Sequence, residues 1–355
     1  MPKILFVNNT LSGGTGSYLV TLAKALSRRG VSVELLIYED RIEYPLPDEI
    51  TLHRLDPLPR PDLLPALQKY ILSSDADLIF SNSTPTHRLL RQIDDPRIHL
   101  IIHSSEEKHY KGLGTSLRKA WRRNKYRKLY HRQKLVTVSR GLERYILCDL
   151  QAKPLHTQSI YNPFDFDEIA AKAETPLLEE SLPDEPYLLF VGRLDIAHKG
   201  LDTLILSYLK SDVSLPLYLL GEGPDRAEVY DLIKGLGLEK RVRLLGYRSN
   251  PYPWIKQARL LILSSNYEGF GRVLVEALAL KTPVVSTRCP YGPSEILTGE
   301  LQSFLTPVAQ PKPLAHTIRS ALESYPTIHA SYYEKFRDDK IADQFLSLLQ
   351  AERSR

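Results

Sequence analysis

The sequence predicts an α/β protein of two doubly wound domains, and three observations carry that prediction. Short apolar runs that end in glycine or polar residues alternate with segments of helical periodicity. The alternation breaks in a proline- and acid-rich stretch, Asn162–Pro186, and then restarts. The positions that stand out chemically fall where predicted strands end, which is where open parallel sheets hold ligands. A length of 355 residues fits two domains better than one.

The elements follow in order. Lys3–Val7 reads as a strand, Ser12–Ser17 as a glycine-rich turn, and Tyr18–Leu26 as a helix stopped by Gly30. Val31–Tyr38, Asp77–Phe80, His99–Ile102 and Lys134–Val138 read as further strands. After the join come strand Tyr187–Val191, helix Leu201–Leu209, strand Leu215–Leu220, helix Arg226–Leu236 and strand Val242–Leu245. A short helix at Trp254–Ala258 and strands Leu260–Leu263 and Pro283–Ser286 follow. Strands separated by helical segments predict parallel sheets covered on both faces. The predicted domains are 1–165 and 166–332. In 333–355, Phe336, Ile341, Phe345, Leu348 and Leu349 have the spacing of a closing helix that packs back on the first domain. The cleft between the two domains is the expected ligand site.

Composition narrows the classes. Apolar content is 43% and charged content 25%, ordinary for a water-soluble chain. No run approaches the ~20 apolar residues of a membrane span, and the apolar run at the N-terminus is too short for a signal peptide. Cys148 and Cys289 stand in no metal or redox spacing. The expected compartment is therefore the cytoplasm, and no metal is expected. Net charge is +5, yet Lys108–Lys134 holds eleven Lys/Arg and no acid, so the rest of the chain is net −6. Leu113, Leu117, Ala120, Trp121 and Leu129 recur in that run at roughly helical spacing. A basic amphipathic helix of this kind fits an anionic membrane surface, with Arg118, Lys119, Trp121, Arg122, Arg123 and Lys125 at its centre. A solvated basic face is the alternative. No nucleic acid is expected, since nothing else resembles a nucleic-acid module.

The chemistry concentrates in 264–287. Glu268 sits in a glycine-rich turn after Leu260–Leu263, and Glu276 lies eight residues on inside Val-Leu-Val-Glu-Ala-Leu-Ala-Leu. A carboxylate in so apolar a helix needs partners if it is buried, and a pair of sugar hydroxyls suits its two oxygens. Alternatively, Arg272 and Glu276, four apart, form a solvent-side ion pair. Gly192-Arg193-Leu194 follows a strand, and Lys199-Gly200 comes soon after. Arg193 and Lys199 could neutralise a diphosphate, or be two surface cations. Gly13-Gly14-Thr15-Gly16 opens a helix and could face a phosphate, or be a plain tight turn. It lacks the third glycine of a dinucleotide fingerprint and the lysine of a P-loop. His103 ends a strand and is either structural or part of a site. Asp75-Ala76-Asp77 suits a turn and Asp165-Phe166-Asp167 a helix cap better than a metal site.

Taken together and in order, these pieces resemble the retaining nucleotide-sugar glycosyltransferases of family 4, which have the GT-B fold. The matching residues are Gly13–Gly16, His103-Ser104, Val138-Ser139, Ile160–Pro163, Phe190–Leu194, Lys199-Gly200, Gly221–Pro224, Glu268–Gly271 with Glu276-Ala277, and Tyr291–Ile296. The resemblance implies roles: 1–165 would bind the acceptor and 166–332 the nucleotide sugar. Glu276 would accept from ribose hydroxyls, and Glu268 would hold donor-sugar hydroxyls beside Gly269, Phe270 and Gly271. Arg193 and Lys199, next to Gly192 and Gly221, would hold the diphosphate. Gly246 and Tyr247 would lie near the base. Gly14, Thr15 and Gly16 would face phosphate or sugar, and His103 the reacting carbon; Glu268, His103, Arg193 and Lys199 would be the catalytic set. The stretch after Glu295, Thr298–Ser303, departs from the family pattern.

The expected activity is therefore transfer of a hexose or N-acetylhexosamine, with retention, from a nucleotide-diphospho-sugar, UDP-linked, to a glycan or lipid-linked acceptor. The setting would be bacterial surface polysaccharide synthesis, at the cytoplasmic face of the inner membrane. No cofactor or metal is expected beyond the co-substrate. An epimerase of the same fold, or a non-catalytic nucleotide-sugar or lipid-binding subunit, are the rival classes. An oxidoreductase fits least, given the broken fingerprint.

Overall fold

The computed structural model describes residues 1–55, 58–105, 115–176 and 182–354. It divides into two compact units. Lys108, His109, Lys111 and Leu113, the first part of the basic run, lie outside the described residues.

The first unit contains β1 (Lys3–Asn8), α1 (Gly13–Arg28), β2 (Ser32–Ile37), β3 (Thr51–Arg54), α2 (Arg60–Ser73), β4 (Leu78–Ser81) and α3 (Thr84–Leu90). It continues with β5 (Ile98–Ile102), α4 (Thr115–Tyr130), β6 (Lys134–Thr137), α5 (Arg140–Arg144) and β7 (His156–Ser159). The seven strands pair in parallel in the order β3-β2-β1-β4-β5-β6-β7. The order reverses direction between β1 and β4, the switch point of a doubly wound sheet. β4 and β5 are buried along their whole length, so apart from Ser81 and His99 their side chains are apolar on both faces rather than alternating.

The second unit runs through α6 (Phe166–Ala173), β8 (Leu188–Val191), α7 (Ile196–Lys199), α8 (Leu201–Ser211), β9 (Leu217–Leu220), α9 (Arg226–Gly235) and β10 (Val242–Gly246). It is completed by α10 (Tyr252–Gln257), β11 (Leu260–Leu263), α11 (Arg272–Ala279), β12 (Val284–Thr287), α12 (Pro293–Ile296), β13 (Leu305–Thr306) and α13 (Pro311–Glu323). Its strands are again parallel, in the order β10-β9-β8-β11-β12-β13, with the switch point between β8 and β11. Leu260 pairs with Leu188 and Leu261 with Leu189, so the loops after Val191 and Leu263 leave the sheet side by side.

The last helix, α14 (Asp338–Arg353), returns to the first unit and packs on α1. It starts at Asp338 rather than at the expected Tyr333. Two 3-10 turns, Ala330–Tyr332 and Glu334–Phe336, take up the intervening chain, and Arg337 adopts an extended ψ of 135°. Phe164 N donates to Phe336 O at 3.0 Å and Asp338 N to Phe164 O at 3.0 Å, which fixes where the helix begins. Phe345 meets Phe80 edge-on at 5.3 Å, and ion pairs Arg29–Asp343 (3.2 Å) and Arg353–Asp77 (2.6 Å) hold the ends.

Both Asp-x-Asp pairs do structural work. Asp165 caps α6 by accepting from Glu168 N at 2.8 Å. Asp77 accepts from Lys3 N at 2.8 Å, and Asp75 pairs with the Lys3 ammonium at 2.5 Å.

Candidate active site

The segments that follow β8 and β11, the strands at the switch point of the second sheet, carry the two acids and two cations singled out by sequence. Close contact between these segments depends on glycine. A Cβ on Gly200, at φ 59°, would stand 2.3 Å from Ser264 O, and one on Gly221, at φ 140°, would stand 1.9 Å from Gly192 O. Side chains are excluded at both places.

That closeness brings Lys199, at the end of α7, against Glu268. Its ammonium lies 2.5 Å from Glu268 Oε1, which also accepts from Ser265 Oγ at 2.6 Å. Oε2 receives no hydrogen bond among the described residues. Burial pushes the Glu268 carboxyl up, but the Lys199 charge, the nearby His198, and the hydrogen bonds from Lys199 and Ser265 together hold it below the usual carboxylate range. Glu268 is thus an ionised buried carboxylate with one oxygen still able to accept. Arg193 is exposed, and its guanidinium makes no hydrogen bond or ion pair among the described residues. Gly192 N donates to Leu220 O at 2.9 Å and Gly221 N to Gly246 O at 2.8 Å, which lines these glycines up along the strand ends.

Glu276 sits on α11, and its side chain is only 13% exposed. Burial raises its carboxyl above the usual range, and Arg272 opposes this only in part. The Arg272–Glu276 contact is 3.8 Å, too long for a hydrogen bond and not on a solvent face. The i,i+4 ion pair that spacing allowed thus forms as a long contact between two largely buried side chains instead of on a solvent face, and Glu276 accepts no side-chain hydrogen bond among the described residues. Gly271, at φ 94°, opens α11 without a side-chain cap. The neighbouring Gly292 packs so closely that a Cβ there would overlap Phe270 O at 1.7 Å. Gly246 is at φ 76°, and Tyr247 after it is 57% exposed. After Glu295 the chain makes a 3-10 turn, Gly299–Phe304, before β13.

A second cluster forms at the switch point of the first sheet. His103 Nε2 donates to Asn82 Oδ1 at 2.7 Å, and Asn82 Nδ2 donates to Thr15 O at 3.4 Å. The His103 ring meets Tyr18 edge-on at 4.6 Å. The end of β5, the end of β4 and the start of α1 are thereby joined, so His103 and Gly14–Gly16 belong to one local group. Gly16 cannot carry a side chain, since its Cβ would lie 2.6 Å from Leu11 C. One residue that sequence reasoning missed is Glu43, whose Oε2 accepts from Gly13 N at 2.8 Å while Arg41 Nη2 donates to Oε1 at 2.6 Å. A carboxylate from the chain itself thus occupies the first N–H of α1, where a phosphate was one expected occupant.

Family comparison agrees over nearly the whole chain. Residues 12–168 match the model of Glycosyltransferase Family 4, and residues 178–338 match that of Glycosyl transferases group 1. The chain belongs to this glycosyltransferase family. Among its relatives is the N-acetylgalactosamine-N,N'-diacetylbacillosaminyl-diphospho-undecaprenol 4-alpha-N-acetylgalactosaminyltransferase of Campylobacter jejuni. It is 28% identical over 333 residues, 90% of this chain and 89% of the relative. A lipopolysaccharide 1,6-galactosyltransferase of Salmonella typhimurium is 28% identical over 47% of each chain. HepE of Anabaena, solved with UDP, superposes with a TM-score of 0.75 at 21% identity, covering 98% of this chain and all of HepE. Together with two parallel doubly wound sheets, that likeness identifies the fold as GT-B.

The basic segment of this glycosyltransferase differs from its sequence reading in one respect. Its described part is helix α4, but the apolar residues do not form one stripe. Leu117 and Trp121 are 79% and 66% exposed, whereas Tyr126, Leu129 and Tyr130 are buried. Leu129 therefore belongs to the core, which anchors the C-terminal half of the helix. Arg118, Lys119, Arg123 and Lys125 are exposed around Trp121 and Arg122 is half-buried; Lys125 Nζ lies 5.2 Å over the Trp121 ring. No described helix is long and apolar enough to cross a membrane.

Proposed function

We propose that this glycosyltransferase moves a hexose or N-acetylhexosamine from a UDP-sugar to a glycan or lipid-linked acceptor in bacterial surface polysaccharide synthesis. The reading rests chiefly on one observation: the ionised Glu268, paired with Lys199 and with an oxygen left to accept, on the loop beside the one that carries the exposed Arg193. Glu268 would take donor-sugar hydroxyls, and Lys199 and Arg193 the diphosphate. Glu276, raised by burial and with no hydrogen bond to its carboxylate among the described residues, would take the ribose hydroxyls. Support for the lipid-linked class comes from the name of the Campylobacter relative and from the exposed basic face of α4. The first unit is assigned to the acceptor.

In this reading the anomeric C–O bond breaks and the electron pair leaves with the nucleoside diphosphate. An acceptor hydroxyl forms the new C–O bond from the same face, and its proton passes to a departing phosphate oxygen. Arg193, Lys199 and the uncapped start of α11 meet the growing negative charge, and no metal is assigned a step. The anomeric configuration is retained.

Calorimetric titration with UDP, GDP, ADP and TDP tests the reading, with UDP expected to bind and the others to bind more weakly. Glu276→Ala is expected to weaken UDP by roughly 10- to 100-fold, since hydrogen bonds to a charged group contribute about 1.5–3 kcal/mol. Unchanged affinity in that variant would remove Glu276 from the site. Peripheral docking at the cytoplasmic face of the inner membrane is tested by sedimentation with vesicles containing phosphatidylglycerol. Changing Arg118, Arg123 and Lys125 to Gln should remove about 1 kcal/mol each, a fall in partitioning of about two orders of magnitude. Equal sedimentation of both proteins would make α4 a solvated face.

A further inference from the structure

The segments carrying Lys199 and Glu268 run beside one another, and the residue before each charged side chain is aromatic. His198 and Tyr267 stack face to face, with ring centroids 4.2 Å apart and planes within 7°. The rest of the contact is backbone and short polar groups. Asn266 N donates to His198 O at 2.8 Å, Asn266 Nδ2 to Ala197 O at 3.0 Å, and Ser264 Oγ to Lys199 O at 2.7 Å. His198 N is itself fixed by the Asp195 carboxylate at 2.9 Å. The Lys199–Glu268 ion pair is therefore the next rung after a ring-on-ring rung, in a ladder whose other rungs are hydrogen bonds.

We propose that the His198–Tyr267 stack is a positioning device that sets the separation and aim of the Lys199 ammonium and the Glu268 carboxylate for sugar transfer. The inference rests on the donor role proposed above for that pair. A lysine on a four-carbon stem has many rotamers, and a loop carboxylate has its own freedom. Two flat rings in contact, each one residue from a charged group, restrict both at once, and a small misplacement near reacting atoms is costly. The imidazole is suited to this as a neutral ring. Burial, then the neighbouring Lys199 charge, push His198 below its ordinary value, while Glu268, Asp195 and the ring's hydrogen bond with the Tyr267 backbone pull the other way. Among the described residues, those groups and Tyr267 are what faces it. The ring is thus kept from adding a second cation beside Lys199.

The test reads UDP release from a panel of UDP-glucose, UDP-galactose and their N-acetyl forms, together with UDP affinity by calorimetry. This needs no knowledge of the acceptor. His198→Ala is expected to lower kcat by roughly 10- to 100-fold and UDP affinity by clearly less, because UDP keeps its ribose and base contacts while the aim of the ion pair matters most as the bond breaks. His198→Phe keeps the stack but not the imidazole's hydrogen bond with the Tyr267 backbone, and should recover kcat to within about threefold of wild type if the stack is what positions the pair. Tyr267→Leu should match His198→Ala, and the double variant should be no worse than either single one, since both remove the same contact. If His198→Ala does not fold, Tyr267→Leu and His198→Phe still decide the matter. Wild-type kcat in His198→Ala or in Tyr267→Leu, no rescue by phenylalanine, or additive losses would overturn the stack's role. A wild-type protein that bound no UDP would instead remove the donor assignment on which the inference stands.

Discussion

Lys199→Met is expected to lower the release of UDP from a UDP-sugar by about three orders of magnitude. Two effects combine. The ammonium is lost from the place where leaving-group charge would develop, and removal of one such preorganised donor costs about 10²–10³ in turnover. The partner is also left behind. Glu268 is buried, and its carboxyl is held ionised against burial chiefly by the Lys199 charge. Without that charge it either takes up a proton or sits unpaired in a dry site, and breaking a buried pair from one side costs about 3–5 kcal/mol. Lys199→Met should therefore lose stability as well as activity. Lys199→Met combined with Glu268→Gln should recover part of the melting temperature but none of the turnover, since the unpaired charge goes but the chemistry does not return. Arg193→Ala is the contrast: its exposed guanidinium supports no partner among the described residues, so it should cost about 10² in turnover and almost nothing in melting temperature. Initial rates beside thermal unfolding separate these cases. Near wild-type rates in Lys199→Met would end the account of the site.

Acidification from pH 7 to 5 is expected to cost the first unit about 4 kcal/mol of stability, through two buried imidazoles. His87, on α3, is pushed down to about 3, first by burial and then by the charge of His103, with Arg88 adding a little. His99, within β5, is pushed down to about 4 by burial and by Lys134, while its hydrogen bond with Arg97 O and the charge of Glu352 oppose the shift. The unfolded chain takes up protons at both residues as pH falls below about 6.5, but the folded chain does not. Their neutral forms therefore support folding fully above about pH 6.5. That support drains as pH falls towards the folded values near 4 and 3, at about 1.4 kcal/mol per pH unit for each residue. Urea midpoints at pH 7 and pH 5 measure it, and His99→Gln should remove about half of the difference. Glu276 acts in the opposite sense, because its raised carboxyl gains a proton more readily in the folded state. The histidine variants isolate the imidazole share. Equal wild-type midpoints at the two pH values would mean that these rings titrate normally.

Much of the frame is legible in the chain because buried parallel strands must be apolar on both faces. Leu78-Ile79-Phe80 and Leu260–Leu263 announce themselves in this way. The short polar strands β3 (Thr-Leu-His-Arg) and β7 (His-Thr-Gln-Ser) do not, and no periodicity marks them. They lie at opposite edges of the first sheet, where only a neighbour on one side makes them strands. Leu129 shows the same limit on a helix: helical spacing groups it with Leu117 and Trp121, but the core takes it and leaves the other two in solvent.

The order of motifs along the chain fixed the family, the double doubly wound architecture and the residue types of the site, because backbone geometry near a ligand tolerates only glycine and charge must be met by charge. Which groups meet was decided by folding alone. Lys199 and Glu268 are 69 residues apart in sequence, His103 and Asn82 are 21 apart, and Glu43 reaches Gly13 across 30. Local sequence governs local conformation, but an ion pair or a ring stack across two loops exists only once the sheet has set their strands side by side.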